Sequence, residues 1–527
     1  MHTNNRTLKR RRILLKVLPT ALVLLLVLSG AAALAEDSAA AAEERTPRTW
    51  YEVFVYSYCD SDGDGTGDLA GLTSKLPYIK DMGFTGLWLM PIHPSPTYHK
   101  YDVCDYMAVD PQYGTMDDFT FFMEECDRLG LDVILDLVLN HTSSKHPWFM
   151  EALDALEEGN LADQYVGYYH FEEREAAGSW YAAGNGYAYE APFWSEMPDL
   201  NLDNPLLREE ISMIARFWLD KGVDGFRLDA VKEYTSGDTQ KNIETLKWIT
   251  QMVRDIKEDV YLVGENWENS ELLYEYYEGI DSLFNFPFAT SSGYIARALI
   301  ADNGSNAQRL VEAIVNAEEL IREYGGELAT DAPFFINHDN ARAAGFLRRN
   351  ADLIKMAWGV NLMMSGDAFV YYGEEIGMPG SGIDENKRAP MQWSADGIGM
   401  TAGPPNMETL KYTFAPVDEQ LKDEASILNF IKKAVGLRKE YPAIAFGRSS
   451  VINNTAAPTV GVIEKAYGDE NIVLLFNLSG EEQYTEPMLL DGARKSGIAD
   501  WLSAGDEPPV YNGLGLTMPP YTIVIMN

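Results

Sequence analysis

The sequence predicts an α/β fold: a (β/α)8 TIM barrel with a small domain inserted after its third strand and an all-β domain at its C-terminal end. Three observations carry the prediction. Eight short apolar runs, bounded as buried strands should be, alternate for the most part with helical patterns. Four runs are followed by polar or acidic residues: Asp136-Leu-Val-Leu-Asn-His141, Gly225-Phe-Arg-Leu-Asp229, Leu262-Val-Gly-Glu-Asn266 and Phe335-Ile-Asn-His-Asp339. From about residue 440 the chain turns to short strands with turn signals between them.

The barrel strands are expected at Tyr51 to Tyr58, Thr85 to Met90, Val133 to Leu139, Gly225 to Leu228, Tyr261 to Val263, Ser282 to Phe286, Phe334 to Ile336 and Ala368 to Tyr372. A helix is expected from Met116 to Leu129, with acids in its first turn and Gly130 as its stop. A second is expected from Glu209 to Leu219, with Ile211, Ile214, Ala215 and Trp218 on one side. The stretch from His141 to Pro205 is aromatic-rich and has no clean period. A structureless loop of that length is uncommon in a compact domain, so it reads as an inserted domain. Trp180, Tyr181, Tyr187, Tyr189, Phe193 and Trp194 are expected to form its core. Val460 to Lys465, Asn471 to Asn477 and Thr522 to Met526 read as strands of the C-terminal module. The barrel is thus assigned to residues 48–140 and 206–438, the inserted domain to 141–205, and a C-terminal β-sandwich to 439–527.

The first 35 residues read as a signal peptide. Arg6, Lys9, Arg10, Arg11, Arg12 and Lys16 form a basic region, residues 17–29 are almost wholly apolar, and Ala33-Leu-Ala35 has the small residues of a cleavage site. The apolar run is short for a membrane span, so cleavage and secretion are expected rather than stable membrane insertion. Residues 36–47 read as a flexible leader. The net charge of −38 argues against nucleic acid as a partner. Cys59, Cys104 and Cys126 have no metal-ligand spacing and no disulfide framework, and are expected as three buried thiols.

In a parallel barrel the C-terminal ends of the strands converge on one mouth, where catalytic groups collect. Asp229, Glu265 and Asp339 would meet there, and carboxylates brought together in a cleft are the equipment of glycoside hydrolysis. A retaining enzyme needs one carboxylate ionised, to attack the anomeric carbon. It needs a second with a raised pKa, to protonate the leaving oxygen. Arg227 lies two residues before Asp229 on one strand, so both side chains share a face, where the guanidinium would hold Asp229 ionised.

With these segments in order, the chain resembles the α-amylase family of glycoside hydrolases, in its intermediate subgroup between oligo-1,6-glucosidases and neopullulanases. The resemblance runs from Trp50 to roughly the end of the chain and implies the inserted domain as well. It implies Asp229 as nucleophile, Glu265 as general acid/base and Asp339 as the residue that binds the distorted sugar and stabilises the transition state. Arg227, His141 and His338 match the family's other sugar-contacting positions. Tyr101, followed by Asp102, matches a tyrosine that stacks under the sugar beside the cleaved bond.

Asp60-Ser-Asp62-Gly-Asp64-Gly-Thr66-Gly-Asp68 places oxygen ligands at alternate positions about a glycine turn, as in the first nine positions of an EF-hand loop. Gly71 stands where an EF-hand has glutamate, so this is not an EF-hand. It resembles the calcium loop after the first strand of oligo-1,6-glucosidase-like members, which implies Ca2+ held by Asp60, Asp62, Asp64, Asp68 and the Thr66 carbonyl. Four aspartates this close repel one another without a cation. A further calcium site of many α-amylases uses the asparagine matching Asn140 and a histidine carbonyl, where this chain has Glu233.

Ala230 and Lys232 after the nucleophile resemble α-1,4-acting amylases, with Lys232 a substrate contact. Met197-Pro-Asp-Leu-Asn201 resembles the intermediate, amylase-rich group. Tyr101-Asp102 and Arg388-Ala-Pro-Met-Gln-Trp393 also occur in exo-acting glucosidases. The expected function is a secreted retaining α-amylase acting as a monomer on internal α-1,4 bonds of starch and maltooligosaccharides. The alternatives are an α-glucosidase, oligo-1,6-glucosidase or neopullulanase-like enzyme, and a non-catalytic member, which would generally have lost the catalytic acids that this chain keeps.

Overall fold

The computed structural model describes residues 46–301, 303–452, 459–486 and 495–527. The segment expected as a signal peptide and almost all of the expected leader lie outside these residues. By internal contacts the chain divides into Met1–Thr46 with Gly468–Glu470, and Pro47–Tyr467 with Asn471–Asn527. The barrel and the candidate site belong to the second unit. No helix among the described residues is long and apolar enough to cross a membrane.

Eight parallel strands form the barrel sheet: β1 (Thr49–Val53), β2 (Gly86–Leu89), β3 (Asp132–Leu137), β4 (Gly225–Leu228), β5 (Tyr261–Gly264), β6 (Ser282–Phe284), β7 (Thr330–Ala332) and β8 (Ala368–Tyr371). From β1 to β7 each strand pairs with the next in sequence, and β8 pairs with β1. A single parallel bridge between Phe334 and Phe369 nearly closes the ring.

Two strands differ from the sequence expectation by more than two residues. The first ends at Val53, and Val55–Tyr58 winds into one helical turn. The seventh lies at Thr330–Ala332 rather than Phe334 to Ile336, because Pro333 has no N–H with which to continue the ladder. The helix Met116–Leu129 forms as expected, with a Thr115–Asp118 capping box and left-handed Gly130 at its end. The helix expected from Glu209 begins one turn earlier, at Pro205, behind an Asn204 cap.

The barrel is filled rather than hollow. Trp50, Trp88, Ile134, Tyr261, Val263, Phe284, Phe334 and Phe369 form one buried cluster. Strand alternation then puts Glu52, Asp136, Arg227 and Glu265 on the same faces as Trp50, Ile134, Gly225 and Val263, two residues nearer the C-terminal mouth. Bulk below requires room: a Cβ at Gly86 would run into the Trp50 indole, and one at Gly225 into the Tyr261 carbonyl. The aromatic layer is the floor on which the charged layer stands.

The inserted segment holds a helix, Pro147–Glu158, and a small sheet of Phe171–Glu173, Tyr187–Glu190 and Trp180–Gly184. The helix, which the sequence reading did not pick out, has Pro147 at its first turn and left-handed Gly159 at its end. The expected aromatic core is only partly realised. Tyr189 is buried, whereas Phe193 and Trp194 are exposed. A five-stranded sheet and a three-stranded sheet, all of them C-terminal to the barrel, make up the β region. The cysteines are free; Cys59 and Cys126 are buried and Cys104 is only half-buried.

Candidate active site

The charged layer is organised by Arg227, which is fully buried. Its Nη1 donates to Asp136 Oδ1 at 2.7 Å and to Asp229 Oδ1, and its Nη2 lies 3.0 Å from Glu265 Oε1. Asp136 Oδ2 also accepts from the Trp88 indole at 3.0 Å and the Tyr101 hydroxyl at 3.1 Å. Burial pushes Asp136 up to about 6 against the pull of Arg227, so at neutral pH it remains the main counter-charge of the guanidinium. One fork thus touches the two carboxylates assigned as nucleophile and acid and fixes their relative placement.

Glu265 has two further neighbours. Trp267 Nε1 donates to Oε1 at 2.7 Å, and the Ala230 N–H donates to Oε2 at 3.2 Å. Ala230 takes a left-handed φ of 47°, uncommon for a residue with a Cβ; it follows Asp229 and aims its N–H at Glu265. Burial pushes Glu265 up to about 7; Arg227 opposes this and Asp229 adds to it. Half of such a group is neutral near pH 7, as a general acid requires.

Asp339 behaves in the opposite way. Burial would raise it, but His338 and Arg388 outweigh burial and hold it well below the carboxylate range. His338 Nε2 lies 3.2 Å from Asp339 Oδ2, and His338 Nδ1 lies 2.6 Å from Glu52 Oε1. Burial would lower His338, but the two carboxylates raise it to about 9, so it is a cation at neutral pH. Arg388 Nη2 reaches Asp339 Oδ1 at 2.9 Å, and its Nη1 pairs with Asp384.

These groups border a cavity of about 450 Å3 whose lining includes Tyr101, His141, Lys232, Asp229, Glu265 and Asp339. Tyr101 stacks on the His338 ring at 5.4 Å, so one of its faces is used by the protein. Burial keeps His141 below its ordinary value and therefore neutral. Lys232 Nζ donates to the Trp267 carbonyl at 3.0 Å. Asp102 is fully buried and is not among the lining residues; its Oδ1 accepts from the Ser95 hydroxyl at 2.7 Å and from Thr97.

The sequence argument gives no role to Trp267, His99, Asp384 or Lys387, which also line the cavity, and it put Phe193, another lining residue, in the core of the inserted domain. The Glu-x-Trp spacing puts Trp267 and the acid within reach, and that signal was available; the others come from loops whose path no local pattern reveals.

In the Asp60–Asp68 loop, Asp60, Asp62 and Asp68 bring carboxylate oxygens within 4.8 Å of one another. Asp64 is outside that group, with its Oδ1 accepting the Thr66 N–H at 2.7 Å. Asp60 accepts the Gly63 and Gly65 N–H groups at 2.7 and 2.9 Å, which curls the loop around the carboxylates.

A filled (β/α)8 barrel with acids of opposite proton affinity at its mouth is the apparatus of a carboxylate-dependent glycosidase. The model of the alpha-amylase catalytic domain matches residues 52–447. The chain belongs to this family and is a glycoside hydrolase. It is 41% identical to Alpha-amylase 3 of Dictyoglomus thermophilum, over 82% of this chain and 84% of that one. It is 27% identical to an oligo-1,6-glucosidase of Parageobacillus thermoglucosidasius, over 81% and 89%. Its fold matches Eubacterium rectale Amy13B with a TM-score of 0.87 and 41% identity, over 91% of this chain and 95% of that one.

Proposed function

We propose that the protein is an α-amylase that cuts internal α-1,4 bonds of starch and maltooligosaccharides with retention of the α-configuration. The observation that carries this reading is Arg227 joining Asp229 to a Glu265 poised near pH 7. Arg227 holds Asp229 Oδ1, leaving Oδ2 to form a bond to the anomeric carbon. As that carbon's bond to the glycosidic oxygen breaks, the Glu265 proton passes to the departing oxygen. Glu265, now a carboxylate, takes a proton from water, whose oxygen displaces Asp229 from the sugar. Asp339 stays ionised throughout and, with His338 and His141, meets the hydroxyls of the sugar ring. Activity should fall above about pH 7, as Glu265 loses its proton before the reaction begins.

Internal cleavage is supported by the 41% identity to an α-amylase and by Asp102. An acid at that position could close the non-reducing side of the cavity, but Asp102 is buried against Ser95 and Thr97. Phe193 and Met197 of the inserted segment wall part of the cavity instead. Iodine staining of amylose should therefore drop early, while few reducing ends have formed. Glucose as the sole early product, with persistent iodine colour, would replace this reading with an exo-acting glucosidase, as the oligo-1,6-glucosidase relatives and the Arg388 to Trp393 segment suggest.

Calcium is proposed for the Asp60–Asp68 loop. Asp60, Asp62 and Asp68 would hold it, and their oxygen-only donor set suits a hard cation. Its contribution would be structural, neutralising the converging charges behind the first strand. Chelation should lower Tm, since a ligand held only by the folded state stabilises it by mass action. Asp60→Ala together with Asp62→Ala should abolish that sensitivity. A wild-type Tm indifferent to chelator, in protein shown by elemental analysis to be metal-free, would rule calcium out.

A further inference from the structure

Glu265 must present its proton to one oxygen of the substrate, so it matters which of its own oxygens carries it. The surroundings of the two are unequal. Oε1 accepts the Trp267 indole N–H at 2.7 Å, and Arg227 Nη2 lies 3.0 Å away as an ion-pair contact. Oε2 receives only the longer Ala230 N–H bond among the described residues, at 3.2 Å. A strong donor and a guanidinium beside Oε1 favour negative charge there and leave no room for a proton. Trp267 is itself well placed to sense the substrate: the residue is 43% exposed and borders the cavity, and its ring packs on Phe286 at 5.0 Å. Lys232 holds its carbonyl at 3.0 Å.

We propose that Trp267 is a positioning residue for the general acid, its indole N–H reserving Oε1 as acceptor so that neutral Glu265 carries its proton on Oε2. This deepens the glycosidase reading and rests on Glu265 being the acid. The other ionisable groups that bear on Glu265 are Arg227, which favours the carboxylate, and Asp229 and Asp339, which oppose it. Tyr234 lies near the same carboxylates. None of them touches the indole N–H, so removing it isolates one contact. A hydrogen bond to the charged form lowers a carboxyl's pKa, and losing it must raise that pKa.

Trp267→Phe keeps an aromatic face and removes the donor. On starch, kcat should fall by roughly 3- to 10-fold, the worth of one such bond. KM should stay within about twofold. The alkaline limb of kcat/KM should move up by roughly half a unit to one unit. On a nitrophenyl maltoside, whose leaving group needs little protonation, kcat should stay within about twofold of wild type. Trp267→Ala, which removes the face too, should raise KM as well. A wild-type alkaline limb in Trp267→Phe, or an equal loss on both substrates, overturns the proposal, because a structural defect would slow both alike. Unchanged Tm in Trp267→Phe shows that the fold is not the cause. Glu265→Gln in the same assays separates the two readings. If it keeps turnover on starch, the acid assignment itself fails. If it is inactive while Trp267→Phe has the wild-type limb, only the role of Trp267 fails.

Discussion

Asp229→Asn is expected to fold like the wild type and to lose about 10^4-fold or more of its turnover on starch. The asparagine has the same shape and can still accept a hydrogen bond from Arg227 Nη1, which keeps its pairing with Asp136. What is lost, on the proposed mechanism, is the anion that attacks the anomeric carbon. The substitution also removes a charge that raises Glu265, so the remaining acid should titrate lower than about 7. Circular dichroism and Tm report the fold, and reducing-end release reports turnover. Wild-type activity in this variant would remove Asp229 from the mechanism.

Arg227→Met is expected to cost more than activity. The guanidinium is the shared partner of Asp136, Asp229 and Glu265, and it is wholly buried. Removing one partner of a buried ion pair destabilises by about 3–5 kcal/mol, because charge is left without compensation. The stranded carboxyls would respond by binding protons, so their folded pKa values would rise above those of the unfolded chain. Groups raised in this way lose their stabilising contribution as pH rises through the folded value, so the defect should deepen from pH 5 to pH 8. Denaturant unfolding at the two pH values reads this directly. Equal stability of variant and wild type at pH 8 would mean that the network carries no net energy.

The strand ends were legible because each is a local statement. A short apolar run with a polar tip needs only its neighbours to be read, and Arg227, two residues before Asp229, follows from strand alternation. The helix Met116–Leu129 was equally local, since its cap, acids and stopping glycine lie within its own turns. Pro333 shows where this reading slips. The apolar run Phe334 to Ile336 looks like a strand, but the ladder lies four residues earlier, at Thr330–Ala332, and stops before Pro333, which has no N–H to continue it.

The sequence by itself determined the barrel, the order of its strands and the acids at their tips, because periodicity and spacing are properties of contiguous residues. Only the tertiary structure decided what each acid is. Glu265 and Asp339 are both carboxyls after strands, yet one is driven up to about 7 by burial and the other held well below its range by His338 and Arg388. It also decided that Asp102 is buried against Ser95 and Thr97, that Phe193 is 51% exposed beside the cavity, and that Trp267 bonds to Glu265. Proton affinity depends on desolvation and on charges brought within a few ångströms from distant parts of the chain. Those distances exist only once the eight strands have closed around the aromatic floor of Trp50, Trp88 and Tyr261.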